Sequence, residues 1–145
     1  MTEILVYDKA KYHLEGDFPK DLPKRQAYVH TGMFVAWLAL NALFSQQSML
    51  DFKEAMSPIQ KGVIPPASLY VAMDGVLSSD MLSVIGNAFA QYYFDFEKGL
   101  YLEDYENILC CNNESFFDVT DTWENYQLIA AKITRRFATW QASCG

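Results

Sequence analysis

Apolar side chains recur at helical spacing early in this chain, and that repeat restricts the folds the chain can adopt. We predict a helix over about residues 22–45, with Asp21 as its cap and Pro23 in its first turn. Its apolar positions follow one another at steps of three or four residues: Val29, Met33, Trp37, Leu40 and Phe44. One side of this helix should therefore be completely buried.

A second repeat of the same kind occupies about residues 121–142. Asp121, with Glu124 three residues later, is typical of a capping box at a helix start. The apolar positions beyond it form a broad stripe: Trp123, Tyr126, Ile129 or Ala130, Ile133, Phe137 and Trp140. We expect this helix and the first one to contribute Trp123 and Trp37 to one core.

The segments between the two long helices predict shorter elements. A short helix over 48–56 should stop at Ser57 and Pro58, because the residue before a proline is pushed out of the helical region. Gly62 and the pair Pro65-Pro66 mark a break. Further helices are predicted around Leu69 to Gly75, from a cap at Ser78 or Ser79 up to Lys98, and around Leu102 to Leu109.

Residues 1–20 differ from the rest because they contain turn-forming residues and no helical period. We predict an ordered, extended N-terminal arm over 1–20 and a helical body over 21–145. With 145 residues, 51% of them hydrophobic, the chain has about the length and core content of one domain. The expected fold class is mainly α: a compact helical domain with an extended N-terminal arm.

Charge is distributed unevenly along the chain. Residues 1–61 carry seven basic and seven acidic side chains, whereas residues 62–145 carry four basic and eleven acidic ones, so the formal charge of −7 arises entirely in the second part. This balance disfavours a protein that holds nucleic acid by neutralising phosphates. It favours a basic protein as the partner.

Acidic and aromatic residues are concentrated between residues 92 and 126, where not every ring can face inward. Exposed tyrosines among carboxylates are typical of a surface that binds a basic protein. A solvated acidic face explains the same composition equally well. The predicted partner-binding residues are Asp95, Glu97, Tyr101, Glu103, Asp104, Tyr105 and Glu106.

The chain has two histidines, which are the candidates for chemistry. His13, Glu15 and Asp17 alternate, so on an extended segment their side chains would point to one side, as a metal site or acid–base pair requires. His30 borders the apolar face of the first long helix. We favour structural roles for all four, with no metal, cofactor or catalytic residue, since such a ligand set is incomplete.

Three cysteines, two of them adjacent at Cys110 and Cys111, do not form an even set of disulfides and lack the spacing of a closed zinc site. This favours a reducing compartment. The N-terminus lacks the pattern of a signal peptide, and no apolar run approaches the length of a membrane span. A cytoplasmic protein that does not enter the membrane is expected.

Three blocks of the chain form a recognisable pattern: Tyr7 to Pro19, Tyr28 to Trp37 and Asp121 to Tyr126, with further similarity at Gly86 to Phe89, Tyr92-Tyr93 and Tyr101 to Tyr105. Together these blocks resemble a family of small, single-domain bacterial proteins of unknown function. Tyr12 and the pair Cys110-Cys111 depart from the family pattern. The resemblance implies no catalytic residues. By analogy, small acidic proteins of this sort are similar to bacterial immunity proteins.

The leading hypothesis is therefore a cytosolic immunity or inhibitor protein that binds and neutralises a bacterial toxin domain, such as a basic nuclease. Such a protein needs a preformed surface and no catalytic group. One alternative is a small metal-dependent hydrolase that uses His13, Glu15, Asp17 and His30. A second alternative is a regulatory protein-interaction module. A toxin domain encoded by a neighbouring gene would favour the first hypothesis, and bound metal would favour the hydrolase.

Overall fold

The protein is mainly α-helical. A computed structural model describes residues 3–110 and 116–144, and these form eight α-helices and one two-stranded sheet. In chain order the elements are β1 (Val6–Lys9), α1 (Ala10–Leu14), α2 (Val29–Leu40), α3 (Gln46–Asp51), α4 (Lys53–Lys61), α5 (Ser68–Ala72), β2 (Val76–Ser78), α6 (Val84–Tyr93), α7 (Tyr101–Leu109) and α8 (Trp123–Cys144). Short 3-10 turns cover Lys24–Tyr28, Ser79–Met81 and Phe116–Asp118.

Helix α2 lies at the centre of the core, where every residue from Val29 to Ala39 is buried. It contacts α4, α5 and α8. At Gly32 a Cβ atom would lie 2.5 Å from the Cβ of Ala67, so only glycine permits this approach of α2 to the start of α5. The predicted helix is therefore present and is buried on all of its faces.

The bounds predicted for this first helix, 22–45, are too wide. Residues Lys24–Tyr28 form a 3-10 turn that begins after Pro23, without a side-chain cap from Asp21. The helix ends at Leu40, and Ala42 has a φ of 56°, a left-handed conformation that α-helix cannot continue through. Phe44 then forms a β-bridge with Leu82.

Helix α8 agrees with the predicted second repeat. Tyr126, Ile129 and Ile133 are buried on its inner face, and the indole nitrogen of Trp37 donates to the Thr134 hydroxyl at 3.0 Å. Trp123 is half-buried against the same core, so both tryptophans contribute to it as predicted.

The start of α8 is capped differently from the prediction. The Thr122 hydroxyl accepts from the Asn125 N–H at 3.2 Å, so Thr122 supplies the cap. Asp121 instead bonds to other parts of the chain: one carboxylate oxygen accepts from the Ala67 N–H and the other from Arg25. Asp121 thus ties the start of α8 to α5 and to the 3-10 turn before α2.

The N-terminal segment is only partly extended. β1 pairs antiparallel with β2, and the chain then turns directly into helix α1. The sheet was not predicted, since each strand is only three or four residues long and shows no clear alternation. Residues predicted as one extended arm therefore include a strand, a helix and a loop.

Several predicted boundaries in the middle of the chain are wrong. Residues predicted as one helix over 48–56 belong to α3, which begins at Gln46, and to α4, which begins at Lys53. Helix α4 continues through Pro58 to Lys61 and ends at Gly62, which has a φ of 68°. Pro58 removes one backbone hydrogen bond, but the neighbouring Met56 and Ile59 are buried, and that burial offsets the loss. Helix α6 is capped by the Ser83 hydroxyl, since Ser78 lies in β2 and Ser79 in the following 3-10 turn, and it ends at Tyr93, before the predicted Lys98.

Among residues 3–110 and 116–144, no helix is both long enough and apolar enough to span a membrane. Cys111 lies outside the described residues.

Candidate functional site

Three side chains from separate elements meet near the N-terminal end of α2. Asp8 lies in β1, His13 in the last turn of α1 and His30 in the first turn of α2. The His13 Nε2 atom is 2.9 and 3.0 Å from the two carboxylate oxygens of Asp8. The His30 Nε2 atom is 3.2 Å from the His13 Nε2 atom. We call these three residues the histidine–aspartate cluster.

The junction between β1 and α1 fixes Asp8 relative to His13. Lys9 ends the strand, and the N–H of the next residue, Ala10, donates to the Gly75 carbonyl at 2.8 Å. Gly75 has a φ of 67°, and a Cβ there would lie 2.7 Å from the Tyr28 ring and 2.8 Å from the Ala10 Cβ. A glycine is thus required where β1, α1 and the turn before α2 meet.

Asp8 and His30 are buried, and each is held by a hydrogen bond from a neighbour. The Thr31 hydroxyl donates to Asp8 Oδ2 at 2.6 Å. The Tyr101 hydroxyl of α7 donates to the His30 carbonyl at 2.5 Å. His13 is the accessible member, with 20% of its side chain exposed. The cluster is therefore open to solvent on the His13 side.

Burial and mutual charge shift the pKa values in the cluster. Burial lowers the pKa of the His30 imidazole to about 3, and a charge on His13 acts in the same direction. Burial alone would raise the pKa of the Asp8 carboxyl, but the hydrogen bond and charge of His13 outweigh it and keep that pKa below its usual value. At neutral pH the site therefore holds a carboxylate beside a neutral His30.

Aromatic rings surround the inner part of the cluster. The rings in contact with His30 belong to Phe96, Tyr105, Phe116 and Phe117, with centroid separations of 4.7 to 6.3 Å. Phe96 and Phe117 also contact the ring of His13. These side chains exclude water from His30 and lower the local dielectric, which strengthens electrostatic interactions inside the cluster.

The cluster differs from the set proposed from the sequence. His13 and His30 do come together, but Glu15 and Asp17 are exposed and lie outside the cluster. The alternation that would align His13 with them requires an extended segment, and His13 lies in α1. Sequence reasoning missed Asp8, since its five-residue separation from His13 is meaningful only across a strand-to-helix junction.

A groove forms a second feature, between the start of the chain and α6. One part, of about 490 Å³, is lined by Glu3 to Leu5, by Ser79 and Asp80, and by α6 residues from Val84 to Gln91. A second part shares Leu5 and Gln91 with it and extends to Asp95, Phe96 and Glu97. We call the two parts together the acidic groove.

The lining of the acidic groove combines exposed apolar groups with carboxylates. Ile4 is 64% exposed and Val84 is 87% exposed. Glu3 and Asp80 line one part of the groove, and Asp95 and Glu97 line the other, whereas no Lys or Arg among the described residues lines either part.

The seven predicted partner-binding residues divide into two groups. Asp95 and Glu97 line the acidic groove, and Glu103 and Glu106 are exposed on α7. Tyr101, Asp104 and Tyr105 are buried, so they offer no surface to a partner of the folded protein. Their spacing of three and four residues places them on the inner face of α7, a helical pattern that the acidic composition of the segment concealed.

Asp104 has a structural environment inside the protein. Its carboxylate accepts from the Tyr93 hydroxyl at 2.7 Å. It also accepts two hydrogen bonds from Arg136 of α8, each 3.0 Å long. Asp104 therefore links α6, α7 and α8.

The fold defines a mainly α-helical protein with one small sheet. A family model described as a domain of unknown function (DUF7832) matches residues 6–119, and the chain belongs to that family. The match includes the whole histidine–aspartate cluster and ends before α8. No curated protein and no solved structure matches the chain.

Proposed function

We propose that this protein is a cytoplasmic immunity or inhibitor protein that binds a basic segment of a toxin domain in the acidic groove. The observation that carries this proposal is the lining of the groove: the described residues that line it include exposed apolar side chains and four carboxylates but no Lys or Arg. The cytoplasmic location is supported by the reduced state expected for the cysteines.

The position of the carboxylates defines the partner's chemistry. Glu3 and Asp80 belong to one part of the groove, and Asp95 and Glu97 belong to the other, with Leu5 between them. A segment that spans both parts therefore needs Lys or Arg at each end and an apolar side chain in the middle. Such a segment would cover Ile4 and Val84, two large exposed apolar groups, and this would add hydrophobic stabilisation to the charge contacts.

The net charge of the whole protein also favours binding of a basic partner. A formal charge of −7 attracts a cationic partner at long range, which raises the rate of association at low salt. Charges at the rim of an interface influence mainly the association rate and its salt dependence, whereas buried apolar contacts influence dissociation. The two kinds of contact in the groove can thus be tested separately.

Charge reversal tests the groove against the rest of the acidic surface. The test co-expresses the protein with any toxin domain that a neighbouring gene encodes, and the readouts are growth of the co-expressing cells and the association rate. The variant Glu3→Lys/Glu97→Lys changes one carboxylate in each part of the groove. We expect it to slow association at least about 10-fold at low salt, to weaken the salt dependence and to abolish protection.

The matched control is Glu103→Lys/Glu106→Lys, which changes the net charge by the same amount on α7, outside the groove. It should retain most of the association rate and protect the cells. If the α7 variant loses binding while the groove variant retains it, the interface lies on α7 and the groove proposal is wrong. If wild-type protein binds the domain without protecting cells, the immunity role is wrong and a regulatory role is favoured.

A further inference from the structure

We propose that the histidine–aspartate cluster binds one divalent transition-metal ion, with the Nε2 atoms of His13 and His30 and a carboxylate oxygen of Asp8 as ligands. The three ligand atoms all lie within 4.8 Å of one another. This inference does not depend on the acidic groove, which is lined by other residues.

The distances in the cluster are those of a ligand set. A first-row metal lies about 2.0–2.2 Å from imidazole nitrogen and carboxylate oxygen. Ligands that share such a metal at tetrahedral or octahedral angles are then about 3 to 3.5 Å apart. The observed separations are 2.9 Å from His13 to Asp8, 3.2 Å between the histidines and 3.8 Å from His30 to Asp8. Only small side-chain shifts are needed to coordinate an ion.

The protons of the two imidazoles give a second argument. In one arrangement, His13 Nε2 carries a proton and donates it to Asp8. The His13 Nε2 atom then has no lone pair with which to accept a proton from His30 Nε2, so the proton of neutral His30 must lie on Nδ1. That Nδ1 is buried and has no hydrogen-bond partner among the described residues. A buried donor without an acceptor is unfavourable.

The opposite arrangement of protons is also unfavourable. If His30 Nε2 carries the proton and donates it to His13 Nε2, the lone pair on that nitrogen is used by His30. The unprotonated nitrogen then faces two Asp8 oxygens at 2.9 and 3.0 Å without a proton between them. A cation in the centre accepts lone pairs from all three ligands and so removes the conflict at the Nε2 atoms, while the Nδ1–H of His30 has the same surroundings as in the first arrangement.

The surroundings of the cluster favour a transition metal over calcium or magnesium. Two imidazoles and one carboxylate suit Zn²⁺, Fe²⁺ and Co²⁺, whereas calcium and magnesium prefer oxygen ligands alone. The Thr31 hydroxyl orients the Asp8 carboxylate, as outer hydrogen bonds do in metal sites. Three protein ligands leave coordination positions for water or substrate, and the exposed side of His13 gives access to them.

Metal titration of protein purified in chelator tests the proposal. Zn²⁺ alone, followed by calorimetry, should bind with a stoichiometry of one, and Co²⁺ alone should give an absorption band that saturates at one equivalent. His13→Gln, at the accessible ligand, should weaken binding at least about 100-fold. Proton NMR of the wild-type protein should show both histidine rings shifting on addition of Zn²⁺, a measurement that needs no variant.

Two controls separate this site from other ligands in the chain. Glu15→Gln/Asp17→Asn removes the exposed carboxylates near His13 and should leave the affinity unchanged. Replacing Cys110, Cys111 and Cys144 together with serine should also leave it unchanged. Absence of a saturable one-to-one complex in the wild type, or binding that persists undiminished in folded His13→Gln, would overturn the proposal. Loss of binding on Glu15→Gln/Asp17→Asn would assign the metal to the other ligand set and equally overturn it.

Discussion

Replacing Asp104 with alanine should lower the free energy of unfolding by about 3 kcal/mol, since removal of one member of a buried ion pair leaves its partners without an acceptor. Asp104 is buried, and its carboxylate accepts hydrogen bonds from Tyr93 and Arg136. Without it, the Tyr93 hydroxyl loses its acceptor in the core. The Arg136 side chain is 32% exposed and keeps part of its hydration, which holds the cost near the lower end of the usual range.

Denaturant unfolding followed by circular dichroism measures this effect, with Glu103→Ala as the matched control. Glu103 is the preceding residue on α7 and is exposed, so its removal should change the free energy of unfolding by no more than about 0.5 kcal/mol. Asp104→Asn should fall between the two, because the amide oxygen can still accept from Tyr93 while the charge is lost. Equal effects of Asp104→Ala and Glu103→Ala would contradict the inward orientation of Asp104.

The long helices were predictable because their apolar spacing reflects local geometry. Of the positions predicted for burial in the first helix, Val29, Met33, Trp37 and Phe44 are buried, whereas Leu40, at the end of α2, is 39% exposed. What the spacing could not show is that Thr31 and His30, on other faces of α2, are equally buried. That burial depends on how α4, α5 and α8 pack around α2, which is a property of the whole chain.

The candidate site was predictable only in part, for the same reason. Both histidines were identified, but the carboxylate that meets them is Asp8 rather than Glu15 or Asp17. Which carboxylate lies beside His13 depends on whether the residues around His13 are extended or helical. Helix α1 has only five residues, too few for a periodic signal. The hydrogen bond that anchors it joins Ala10 to Gly75, a residue far away in the sequence.

The role of Asp104 could have been recognised from the sequence. Tyr101, Asp104 and Tyr105 share the spacing of one helix face, and that face also contains the apolar Leu109 nearby. The number of acidic residues in this segment led to the prediction of a partner-binding surface. The helical positions of the same residues indicate instead which side chains point inward. The number of charges and the helical position are thus separate signals, and on α7 the helical position determines which side chains are buried.

Phe34→Ala should lower the free energy of unfolding by about 3 to 5 kcal/mol, the usual cost of truncating a fully buried aromatic side chain. Phe34 is fully buried at the centre of the core. Its ring stacks on Phe94 with centroids 4.6 Å apart and contacts Tyr101 at 5.4 Å. Phe94 directly follows α6 and Tyr101 begins α7, so removal of the ring leaves a cavity where these two elements pack against α2.

A graded series distinguishes this cavity effect from a general loss of aromatic surface. Phe34→Leu keeps most of the apolar volume and should cost less than Phe34→Ala, whereas Tyr12→Ala, at a side chain that is 53% exposed, should have an effect of at most about 0.5 kcal/mol. The measurement is urea unfolding, with the m-value checked in each variant so that a change in the midpoint can be read as a change in stability. A Phe34→Ala protein as stable as Tyr12→Ala would place Phe34 outside the core.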